Sequence, residues 1–151
     1  MLKEIVKHCD PLPSRMKILV MGGGYSGQHI AKLARCLGAK AICSRREISE
    51  PGTELVFDSD RENTPNLLEI KNITHLISCI PPDQNGEDPV LSNLQHQLER
   101  MSLEWVGYLS TTGVYGDCHG NWVNENDHPR PQQKRSIHVE LQKHSVAKRR
   151  F

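Results

Sequence analysis

No apolar run in this 151-residue chain approaches the length of a membrane span. The opening residues, MLKEIVKHCDPLPSR, contain no signal-peptide core. The sequence therefore predicts no membrane partner and a cytoplasmic location. Net charge is also scarce: 19 Lys and Arg stand against 18 Asp and Glu, leaving +1, so no field argues for nucleic acid or an anionic surface. There is no CxxC and no paired Cys/His spacing. The five cysteines (Cys9, Cys36, Cys43, Cys79, Cys118) are odd in number and scattered. Buried, reduced thiols are expected for Cys36, Cys43 and Cys79, and no metal site is expected anywhere. Cys118-His119 is an isolated pair. Asn72-Ile73-Thr74 matches a glycosylation acceptor without a secretion signal to accompany it. No internal repeat or low-complexity tract is present, and the length suits one domain with a real core.

What is there begins at Met16. An apolar strand, Ile18 to Met21, runs into Gly22-Gly23-Gly24-Tyr25-Ser26-Gly27, then an amphipathic helix and a second strand, Ala41 to Cys43. A GxGxxG pattern in this βαβ setting reads as a dinucleotide site. Gly22 permits the tight turn, Gly24 lets the backbone approach a pyrophosphate, and Gly27 lets the helix pack close to the sheet. The helix start, with Tyr25 and Ser26, offers N–H groups and a positive dipole end to phosphate. Ile30, Leu33, Ala34 and Leu37 share one helix face, and Gly38 is the expected stop. An NAD site usually places Asp or Glu at the end of the second strand. Here Ser44-Arg45-Arg46 stands instead, and guanidinium groups pair with a 2′-phosphate that a carboxylate would repel. NADP is favoured and NAD disfavoured, although Glu47 follows at once.

Further strands are expected at Leu55 to Phe57, His75 to Ile80 and Trp105 to Ser110. Helices are expected over Pro65 to Ile73, with Leu67, Leu68 and Ile70 inward, and over Pro89 to Met101. Strands alternating with helices imply a doubly wound α/β fold of the Rossmann type, its parallel sheet ordered 3-2-1-4-5. Ligand then lies over the strand ends where the order reverses. Gly22 to Gly27, Ile80-Pro81 and Ser110 to Gly113 all sit at such ends, which adds Ile80 and Pro81 to the cofactor residues. Asp58 and Asp60, flanking Ser59 after the third strand, occupy a position often found beside adenine but more commonly plain loop. The domain is read as residues 16–131, with an extension over 1–15 and a basic tail or helix over 132–151, where Ile137 and Leu141 mark a helix from Ser136 to Arg150.

At Ser110-Thr111-Thr112-Gly113-Val114-Tyr115-Gly116-Asp117 a second motif appears. With GGGYSG it resembles the extended short-chain dehydrogenase/reductase superfamily, and most closely its nucleoside-diphosphate-sugar epimerase-like members, whose fifth strand ends in Ser-Ser/Thr-x-x-Val-Tyr-Gly. Ile80-Pro81-Pro82 and Gly120-Asn121-Trp122-Val123-Asn124-Glu125 resemble an atypical branch of that group. The resemblance covers about Lys17 to Pro131. It implies NADP-linked hydride transfer on a small molecule such as a nucleotide sugar, and it places Thr111 as the hydroxyl that hydrogen-bonds the reacting oxygen.

The same resemblance exposes two gaps. The family's acid/base Tyr-x-x-x-Lys is missing, since no tyrosine follows Tyr115. His138 is a lone helical histidine and a poor substitute. Family members also continue through further sheet elements and a substrate-binding region, so the chain reads as truncated and incomplete on its C-terminal side, with substrate specificity in the missing part. The expected activity is an NADP-binding epimerase or reductase. The alternatives are a non-catalytic NADP-binding or sensor module and an inactive fragment, joined to a second copy or a missing partner.

Overall fold

The computed structural model describes residues 2–47, 55–124 and 126–130. A short helix, α1 (Leu2–Lys7), leads to β1 (Lys17–Met21), α2 (Tyr25–Cys36) and β2 (Lys40–Arg45). Then follow β3 (Leu55–Val56), β4 (His75–Ser78), α3 (Pro89–Leu98) and β5 (Trp105–Tyr108). The five strands form one parallel sheet in the order β3-β2-β1-β4-β5, as expected from the alternation of strands and helices. β1 is the centre of the sheet, with Leu19 opposite Ile42 on one side and Leu76 on the other. Three strands stop short of their predicted ends, but the ladder carries on by one bond each. Phe57 N–H donates to Arg45 O, Cys79 N–H to Met21 O and Leu109 N–H to Ser78 O, each at 2.8 Å.

β1 is apolar from Ile18 to Met21 because both faces of the strand are covered there. Val20 joins the cluster beneath α2, with Ala31, Ala34, Ala41 and Cys43. Leu19 and Met21 join Leu76, Val90, Leu94 and Leu98 beneath α3. Leu19 and Leu94 are fully enclosed, and burying each contributes about 2 kcal/mol. The N-terminal extension is partly structured. Leu12 N–H donates to Leu37 O at 2.7 Å, and Leu12 packs against the α2 cluster. α3 starts on Asp88, whose Oδ1 accepts from Val90 N–H at 2.8 Å and Leu91 N–H at 3.3 Å, with Pro89 in the first turn. The helix gives out at Leu98 rather than Met101. Arg100 and Met101 donate three residues back, to Gln97 O and Leu98 O, the tighter turn that ends many helices.

Two expectations fail. No helix forms over Pro65 to Ile73; a single 3-10 turn, Leu67–Glu69, takes its place. The side chain of Gln97, from α3, accepts from Leu67 N–H at 2.6 Å and donates to Pro65 O at 3.1 Å. Asn66 caps the turn locally through Leu68 N–H, and Asn72 adopts a φ of 62°. These bonds take the backbone groups that a helix would use. Leu67 is buried and Ile70 partly so, but Leu68 is exposed. Cys36 is likewise exposed, because it falls off the Gly27/Ala31/Ala34 face of α2, whereas Cys43 is buried and Cys79 partly buried. The helix expected from Ser136 to Arg150, with His138, lies outside the described residues.

Candidate functional site

The glycine turn is held by the end of β2. Gly22 has a φ of +93°, which favours glycine, and a Cβ there would meet Ile80 Cγ1 at 2.8 Å. Its N–H donates to Ser44 Oγ at 2.9 Å, and Gly23 N–H donates to Ser44 O at 2.6 Å. Ser44 is buried, so both bonds are shielded from water. Gly27 presses on the turn from α2: a Cβ would collide with Gly22 O and crowd Val20 Cγ1. Gly24 is the opposite case. It is the N-cap of α2, no side chain caps that helix end, and a Cβ on Gly24 would stand in open space.

That open space is a cleft of about 640 Å³ over the C-terminal ends of β1, β2, β3 and β4. Gly22, Gly24, Tyr25, Ser26, Gly27, Arg45, Arg46, Ile80 and Pro81 all line it, so the structure gathers the nine predicted cofactor residues around one hollow. Ser44, Phe57, Ser59, Cys79 and Leu109 line it as well and were not singled out from sequence. Their signal was position alone: each lies at or just past the end of a strand. A second hollow, of about 440 Å³, shares Arg46, Ser59, Ile80 and Pro81 with the first and continues to Asp60 and Asp83. The fit to a dinucleotide rests on the bare Gly24 backbone and the uncapped first turn of α2, which leave room and N–H donors for a pyrophosphate.

The rim is charged. Arg46 Nη2 lies 3.6 Å from Asp60 Oδ2, and Arg61 Nη1 lies 3.4 Å from Glu47 Oε1. All four side chains are largely exposed, while Arg45 is partly buried. Asp58 is buried and structural. Its Oδ1 accepts from Asp60 N–H at 3.1 Å, and its backbone exchanges two 2.9 Å bonds with Asn63.

The end of β5 is built differently. Thr111 does not line the cleft; it is exposed, and its Oγ1 accepts from Gly113 N–H at 3.2 Å, capping the 3-10 turn Thr112–Tyr115. Its own O–H remains available as a donor. Nearby, Ser78 Oγ and Ser110 Oγ are buried without a hydrogen-bond partner among the described residues. Burial pushes the Tyr108 hydroxyl up to about 12, and the Asp88 carboxylate adds to the effect. A tyrosine that moves protons near neutrality needs the opposite shift, so Tyr108 does not replace the missing acid/base group. Burial also raises the Asp88 carboxyl, against the lowering effect of its two backbone donors. The Cys79 thiol is raised by burial and then by Cys43, which makes it a poor nucleophile. Among the described residues, no group of three or more His, Cys, Asp or Glu could hold a metal, and no helix is long and apolar enough to cross a membrane.

No protein-family model matches the chain, and no curated protein matches it. Solved structures do. A functionally unknown conserved protein from Silicibacter pomeroyi DSS is 30% identical, with a TM-score of 0.69 over 88% of this chain and 48% of that one. UDP-N-acetylglucosamine 4-epimerase from Bacillus cereus is 20% identical, with a TM-score of 0.64 over 85% and 52%. UDP-glucuronic acid 4-epimerase from Bacillus cereus, in complex with NAD, is 19% identical, with a TM-score of 0.63 over 87% and 51%. The chain shares the Rossmann-type fold of these structures, and it spans about half their length.

Proposed function

We propose that the chain binds NADP in the 640 Å³ cleft and serves an epimerase- or reductase-type reaction on a nucleotide sugar or a related small molecule. The observation that carries this reading is the convergence of an uncapped, Cβ-free helix start at Gly24 with Arg45 and Arg46 around one hollow. In this reading the first turn of α2 holds the pyrophosphate and the two arginines take the 2′-phosphate. Ile80 and Pro81 flank the dinucleotide from the end of β4. When bound, NADP supplies or accepts hydride. Thr111 donates its hydroxyl hydrogen to the reacting oxygen while Gly113 N–H holds the side chain in place. The proton is moved by water or by a group other than Tyr108. The fold shared with the NAD-bound epimerase supports dinucleotide use, and the arginine pair supports NADP over NAD.

A second reading, an NADP-binding module without turnover, is favoured only by the absence of any tyrosine after Tyr115. Calorimetric titration of the folded chain with NADPH and NADH tests the cofactor assignment. Tighter NADPH binding supports it, and no binding of either overturns it. Thr111→Val separates the two readings. It should leave NADPH affinity unchanged and abolish any hydride transfer to nucleotide sugars; transfer that survives the change removes Thr111 from the chemistry.

A further inference from the structure

We infer that Asp60 is a specificity-determining residue of this cleft: it competes with the 2′-phosphate of NADP for Arg46 and so holds down the preference for NADP over NAD. The inference rests on the dinucleotide reading of the site. Arg46 follows the end of β2, and its guanidinium Nη2 stands 3.6 Å from Asp60 Oδ2. Both residues border the hollow of about 440 Å³ that adjoins the glycine cleft, and Ser59, next to Asp60 in the chain, lines both hollows.

Asp60 is not there by chance of a long side chain. The buried Asp58 caps the turn Ser59–Arg61 through Asp60 N–H, and its backbone is bridged to Asn63. The neighbouring pair repeats the pattern with the signs reversed, Glu47 against Arg61 at 3.4 Å. Consecutive residues after β2, Arg46-Glu47, therefore face consecutive residues after β3, Asp60-Arg61, as two matched ion pairs. The turn presents the Asp60 carboxylate to Arg46 from a fixed backbone.

The chemistry follows from charge. A 2′-phosphate brought to Arg46 must displace or share that guanidinium with Asp60, and the two anions then repel each other. A ribose 2′-hydroxyl carries no charge and meets no such opposition; a carboxylate can accept its hydrogen, as acidic residues do in NAD sites. Asp60 thus penalises NADP and not NAD. Both side chains are mostly exposed, so the effect is modest and screened by salt.

The test is calorimetric titration of the wild-type chain, Asp60→Asn, Arg46→Ala and the double variant with NADPH and NADH at low ionic strength. Thermal unfolding checks that each remains folded, which the exposure of the Asp60 side chain favours. Asp60→Asn should tighten NADPH by about fivefold and leave NADH unchanged or slightly weaker. In the Arg46→Ala background the same change should have less than half that effect, because the group competed for is gone. An NADPH to NADH ratio unaltered by Asp60→Asn, or a gain shared equally by both, overturns the inference while leaving the cofactor reading intact. Failure of the folded wild-type chain to bind either nucleotide overturns the reading and this inference with it.

Discussion

The two ends of the sheet's ligand side are built to different standards. Around β1, α2 and β2, the first two N–H groups of the turn have defined partners: Gly22 and Gly23 both bond to Ser44. The glycines there are constrained by neighbours at Gly22 and Gly27, and Gly24 stands beside open space. Around β4 and β5, two buried serine hydroxyls have no partner among the described residues, burial raises the Tyr108 hydroxyl, and Thr111 is an exposed turn cap. The difference is one of bonding: the turn after β1 is tied to a buried serine at the end of β2, whereas the turn after β5 is capped by a side chain at the surface.

The strongest way to break that comparison is within the glycine turn. Gly27→Ala forces a Cβ against Gly22 O and should cost about 3 kcal/mol, read as a lower midpoint in urea unfolding. Gly24→Ala meets nothing and should cost within about 1 kcal/mol, yet weaken NADPH by about tenfold or more as the new Cβ keeps the pyrophosphate away from the backbone donors. Equal loss of stability in both variants would erase the distinction between a packing glycine and a binding one.

Next in size is the arginine pair. Arg45→Ala with Arg46→Ala should weaken NADPH by at least about tenfold and NADH by much less. Equal effects on the two nucleotides would remove the 2′-phosphate from these residues.

The β5 end yields smaller, pH-dependent effects. Asp88→Ala removes the α3 cap and should cost about 1 kcal/mol, whereas Asp88→Asn keeps a capping oxygen. Because burial raises the Asp88 carboxyl, its favourable contribution is full below the ordinary value of 3.8 and is lost as pH rises through the raised one. Asp88→Asn should therefore match or exceed wild-type stability at pH 7 in thermal unfolding, and a clear loss there would mean that the charge itself is needed. Tyr108 works in the same direction at the alkaline end. Its contribution is full below 10.0 and lost as pH rises through about 12, since the unfolded chain releases the proton first. Tyr108→Phe should flatten the fall in stability between these values; an unchanged slope would mean that the hydroxyl is well solvated.

Much of this was legible from residues close together in the chain. The run Ile18 to Cys43 contains a strand, a glycine turn, a helix and a strand, all local patterns, and the structure reproduces each within two or three residues. The strand order followed from alternation and handedness, which hold across parallel sheets. Legibility failed wherever a distant side chain intervened. Pro65 to Ile73 has apolar residues at helical spacing, but Gln97, more than two dozen residues away, bonds to both Leu67 N–H and Pro65 O and settles the backbone as a turn. Cys36 shows a smaller failure, that of inferring burial from helix membership without asking which face.

By itself, then, the amino-acid order determined the βαβ unit, the arginines in place of an acidic residue, and the lack of any tyrosine after Tyr115. Those are matters of residue type and spacing, which need no partner from elsewhere in the chain. Only the tertiary structure decided that Ser44 would hold the glycine turn and that Gly24 would face empty space. It alone brought Asp60 to within 3.6 Å of Arg46. Each of those depends on the ends of neighbouring parallel strands meeting at one side of the sheet, and the distance between two strand ends is a property of the packed fold.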